Sequence, residues 1–101
     1  MTTTEMKAIL ADKLKSEGTY FTKSYISIRK IKNGYRIVIK DYEHIPFTIY
    51  MEEDDYFGYC VFIRGMQDYD YVDDLVFTYS KKDYPLEEAL LNLGYYIGTR
   101  F

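Results

Sequence analysis

The chain has no tryptophan, one cysteine, one histidine and two prolines in 101 residues, and each scarcity closes off some chemistry. A single cysteine, Cys60, excludes a disulfide framework within the chain and fits a reducing compartment. With His44 the only histidine, a histidine-based metal site cannot be assembled from one chain. A Cys60/His44 nucleophile pair is conceivable in space, but Cys60 lies within an apolar run, where a thiol is more often an inert small hydrophobe. No apolar run approaches the roughly 20 residues that span a bilayer, and Met1–Thr4 lacks a basic-then-apolar leader. A soluble cytoplasmic protein is expected. The six glycines are scattered and form no phosphate-cradling loop. They read as turns, caps and one strand irregularity.

Tyrosine and charge are abundant instead. Tyrosine occurs thirteen times, more than one small core needs, and its apolar ring with a polar tip suits sheet faces and interfaces. Net charge is −3, but unevenly spread. Residues 1–40 carry nine Lys/Arg against three acids, and residues 41–83 carry three against eleven. Such asymmetry bears on partners and solubility rather than on fold.

The length predicts one domain, residues 1–101. Met6, Ile9, Leu10 and Leu14 form one helical stripe, with Thr2 and Glu5 spaced as a capping box and Gly18 at the expected C-terminal cap. From Thr19 the period changes to two. Segments 20–32 and 35–42 read as strands joined by Asn33-Gly34, a strong hairpin signal. This turn sets Ile28 opposite Ile39 and Lys30 opposite Ile37. Ile26, Ile28, Ile37 and Ile39 then share a core face, and Tyr25, Ser27, Arg29, Ile31, Arg36, Val38, Lys40 and Tyr42 share the other. Strands are expected at 46–51, 56–64 and 73–80, with the four acids 52–55 as one loop and 65–72 as another. Cys60 and Phe62 fall opposite Phe57, Tyr59, Val61 and Ile63. A second helix starts near Pro85, with Leu86, Ala89, Leu90, Leu93 and Ile97 as its stripe. Gly94 weakens it and Gly98 ends it. The order α-β-β-β-β-β-α predicts an α+β domain: a five-stranded, mainly antiparallel meander flanked by an N-terminal and a C-terminal helix.

Two acid–tyrosine clusters stand out: Glu52, Glu53, Asp54, Asp55 and Tyr56, then Asp68, Tyr69, Asp70, Tyr71, Asp73 and Asp74. Asp68-Tyr69-Asp70 starts like a calcium loop but lacks its central glycine and closing glutamate. A glycosidase-type pair needs two carboxyls within about 5–10 Å on rigid elements, whereas these acids fall on loops at opposite ends of the fourth strand, roughly 30 Å apart. No catalytic residue, metal site or cofactor is therefore expected, and the protein is read as non-enzymatic.

The leading expectation is a protein-interaction module. Its acids, interleaved with Tyr50, Tyr56, Tyr59, Tyr69 and Tyr71, would offer an anionic surface to a basic nucleic-acid-binding groove on another protein. In size, acidity and lack of catalytic motifs the chain is similar in general character to the small inhibitors that phages and mobile elements direct against host nucleases, such as DNA mimics and anti-CRISPR proteins. No residue motif carries that likeness to a family. The alternative is a small nucleic-acid-binding domain, with Lys23, Tyr25, Arg29, Arg36, Lys40 and Tyr42 as its basic, aromatic face. A third reading is a homo-oligomer joined by charge-complementary halves.

Overall fold

Thr2 opens the first helix as its spacing with Glu5 predicts. In the computed structural model, which describes residues 1–40, 47–54, 58–67, 70–79 and 86–99, helix α1 spans Thr3–Ser16. The Thr2 hydroxyl accepts the Glu5 N–H at 3.1 Å, and the Glu5 carboxylate accepts the Thr2 N–H at 3.3 Å. Two otherwise orphaned donors are thus satisfied. Thr2→Ala should lower stability by about 1 kcal/mol, measured as a shift in the urea midpoint at unchanged m-value; no shift would mean that the cap is frayed in solution. At the other end the chain turns through Gly18 at φ +87°. The Thr19 N–H and hydroxyl then both donate to the Leu14 carbonyl, at 3.0 and 2.8 Å.

The expected strand at 20–32 begins only at Ile26. Before it, Phe21 is buried in the core, and Tyr20 and Tyr25 lie against its ring. A short 3-10 turn, Lys23–Tyr25, follows. Tyr25 therefore does not join the outer sheet face with Arg29, as strand alternation predicts; it packs against the core. The aromatic anchor outcompetes continued strand pairing.

The strands are β1, Ile26–Ile31; β2, Gly34–Ile39; β3, Phe47–Asp54; β4, Gly58–Gln67; and β5, Asp70–Tyr79. All pairings are antiparallel, and neighbours in the sheet are neighbours in sequence. With the two helices this makes an α+β architecture. The first hairpin is corrected by two residues: Lys32-Asn33 forms the turn, Ile28 faces Ile37 and Ile26 faces Ile39. Gly34 is already a strand residue, with φ +152°. A Cβ there would overlap the Met51 carbonyl oxygen and stand 3.0 Å from the Glu52 Cα. Glycine is needed for the close approach of β3, not for the turn.

The acidic segments are also corrected. Glu52, Glu53 and Asp54 belong to β3, in register with Cys60, Tyr59 and Gly58. Residues 65–67 extend β4, and β5 starts at Asp70, opposite Gln67, rather than at residue 73. Ladder pairing overrides the low strand propensity of aspartate and glycine. A register shift opposite Val61/Phe62 leaves Val76 without a counterpart in the β4–β5 ladder.

Helix α2 spans Leu86–Gly98. Its buried Ala89, Leu90, Leu93 and Ile97 join Met6, Leu10 and Leu14 of α1 and Ile26, Ile37, Ile39, Ile49, Met51 and Val61 of the sheet in one cluster. Gly94 is an approach point for α1: a Cβ on it would meet Lys13 Cγ at 2.6 Å and Cβ at 2.9 Å. Gly94→Ala, a favourable change in an isolated helix, is therefore expected to lower the urea midpoint. A stabilised variant would show that the helices sit further apart.

Candidate functional site

Both helices pack on one face of the sheet, and the strands alternate. The opposite face therefore carries Ser27, Arg29 and Ile31 of β1, Arg36 and Val38 of β2, Thr48, Tyr50 and Glu52 of β3, and Cys60 and Phe62 of β4. Cys60 is buried, at 9% exposure, yet lies outside the core cluster. Arg29 is exposed; Arg36, Tyr50 and Phe62 are partly exposed.

Register places four of these residues in one row across the strands. Arg29 is opposite Arg36, Arg36 opposite Tyr50, and Tyr50 opposite Phe62. At about 4.8 Å per strand the row is roughly 14 Å long. Two like charges directly opposite one another repel. Among the described residues neither arginine has a carboxylate partner; the salt bridge found there joins Lys13 and Glu17. Glu52, diagonal to Arg36, is the nearest acid by register.

Of the acidic residues expected to contact a partner, Glu52 is partly exposed and Glu53 exposed. The Glu53 N–H donates to the Asn33 carbonyl at 2.6 Å, which ties this arm of the β3–β4 hairpin to the β1–β2 turn. Asp54 ends β3. Asp70, Tyr71, Asp73 and Asp74 lie on β5, in register with Gln67, Met66, Arg64 and Ile63. Asp55, Tyr56, Asp68 and Tyr69 lie outside the described residues. Register sets Asp54 opposite Gly58 and Asp70 opposite Gln67, the two ends of β4, roughly 30 Å apart at about 3.3 Å per residue, whereas Glu52 and Asp74 pair with Cys60 and Ile63, roughly 10 Å apart along the same strand.

Of the described members of the basic, aromatic set, Arg29 and Arg36 stand opposite one another in the β1–β2 ladder. Lys23 is exposed on the 3-10 turn, Tyr25 is turned to the core, and Lys40 is exposed just after β2, with its N–H on the Tyr25 carbonyl at 2.9 Å. Tyr42 and His44 lie outside the described residues. The pairing of Tyr50 and Phe62 with the arginines was missed in the sequence. Their even numbering gives the face within each strand, but only the β2–β3 register aligns them.

Among the described residues no polar or charged residue is buried, and no group of three His, Cys, Asp or Glu converges as a metal site. No helix there is long and apolar enough to cross a membrane. Compared with family models, with curated proteins and with solved structures, the chain has no match.

Proposed function

We propose that the protein is a non-enzymatic interaction module of the cytoplasm. Its scaffold is a five-stranded meander backed by two helices. Its acidic residues are offered to the basic, nucleic-acid-binding groove of another protein, in the manner of small inhibitors that imitate a polyanion. One observation carries the reading: Glu52, Glu53 and Asp54 are strand residues rather than loop residues. A strand fixes the spacing of its carboxylates, so less ordering entropy is lost when they meet a partner. Complementary charge then steers the encounter and selects against acidic partners. The acids at the start of β5 supply a second anionic end.

The test is capture of a basic, nucleic-acid-binding protein by the immobilised chain in competition with DNA. Glu52→Lys together with Glu53→Lys should weaken capture by about tenfold or more, and mainly through slower association at low salt. Asp70→Asn, Asp73→Asn and Asp74→Asn measure the contribution of the second end. Capture that persists in both sets of variants, or that DNA does not compete, would refute the reading.

A further inference from the structure

The row Arg29–Arg36–Tyr50–Phe62 lies on the helix-free face and is not accounted for by the acidic ends. From it we infer a second binding surface, one that takes single-stranded nucleic acid. Two features of this face point to that occupant. The first is the opposed arginine pair. Arg29 and Arg36 are directly across from each other in the β1–β2 ladder, an arrangement that works against pairing. Neither has an acidic partner among the described residues. An anion between the guanidinium groups converts the repulsion into two charge-assisted contacts, and a phosphate matches their forked geometry.

The second feature is the aromatic continuation of the same row. Tyr50 follows Arg36 and Phe62 follows Tyr50 across adjacent strands. Both are partly exposed, on the face away from the core cluster. A bare anion has no use for two neighbouring rings, whereas a nucleotide chain has a stacking base beside every phosphate. Rings on neighbouring strands of an open sheet can stack two or three bases. Duplex nucleic acid keeps its bases stacked on one another, so the rings select the single strand. Glu52 sits two residues beyond Tyr50 on β3 and repels phosphate, so the bound strand is expected to keep its phosphates at the arginines of β1 and β2 and its bases over the rings of β3 and β4. This surface shares no residue with the acidic ends and does not depend on the reading given for them.

Fluorescence anisotropy with labelled oligothymidylate and oligouridylate tests the inference. Binding should weaken with salt. Arg29→Ala and Arg36→Ala should each reduce the salt slope by about one. Tyr50→Ala and Phe62→Ala should each cut affinity by roughly tenfold or more while leaving the slope unchanged. Tyr50→Phe, which keeps the ring, should retain binding. Thermal melts of each variant separate loss of the surface from loss of the fold. The inference is overturned if neither oligonucleotide binds, if a duplex binds as well as the single strand, or if folded Tyr50→Ala and Phe62→Ala variants bind like the parent. In the last case the face is a simple polyanion surface, and heparin will compete without regard to the rings. Binding by Glu52→Lys/Glu53→Lys should be equal or stronger, so failure here and failure at the acidic ends are told apart.

Discussion

Gly34→Ala should lower stability by at least about 3 kcal/mol, a large part of the roughly 5–15 kcal/mol that holds a domain of this size together. Two costs combine. The residue's φ of +152° lies where side-chain-bearing residues are rarely found, and its Cβ would overlap the Met51 carbonyl oxygen. That oxygen is backbone in the middle of a paired strand, so it cannot step aside as the end of a flexible side chain could. Relief requires β2 and β3 to separate at the end where the Glu53 N–H meets the Asn33 carbonyl. Urea denaturation should show the loss, and amide exchange should show the largest loss of protection at Met51, Glu52 and Glu53. A variant as stable as the parent would mean that β2 and β3 do not meet in this register. The Arg36–Tyr50 alignment would then fall with it.

Ile49→Ala should cost about 2–5 kcal/mol, the range for removing a large aliphatic side chain from a packed interior. Ile49 has no exposed surface and pairs with Ile37 on one side and Ile63 on the other. The cavity would open in the middle strand, beneath helices that close on each other through Gly94 and have little room to follow. The next residue makes the contrast. Tyr50 is on the other face, and Tyr50→Ala should leave the unfolding free energy within about 1 kcal/mol of the parent while abolishing much of the oligonucleotide binding. Equal destabilisation by the two neighbours would show that the outer face is covered rather than open.

These two residues also show what could be read beforehand. Alternation assigned the faces of the β1 and β2 residues correctly even though the register was off by two, because a shift of two preserves every side chain's face. Thr2 and Glu5 marked the helix start because a capping box is a local device. The strand ends were harder. Glu52–Asp54 and Asp70 have poor strand propensity, and what makes them strand is the partner across the ladder. Tyr25 was misplaced for a related reason: its period matched β1, but contact with Phe21 decided its side. The arginine–aromatic row needs three registers at once, and no single stretch of sequence contains them.

The joining of α1 to α2 has a consequence for how the chain is made. Each hairpin of the sheet can close between near neighbours, whereas Lys13 meets Gly94 only after about eighty intervening positions have been synthesised, a separation that slows folding. At roughly 5–20 residues per second, α1 waits some 4–16 seconds on the ribosome with Met6, Leu10 and Leu14 lacking their final cover. During that interval these apolar side chains would be open to a holdase, and the yield in cells is expected to depend more on the speed of translation and on holdase supply than the equilibrium stability would suggest.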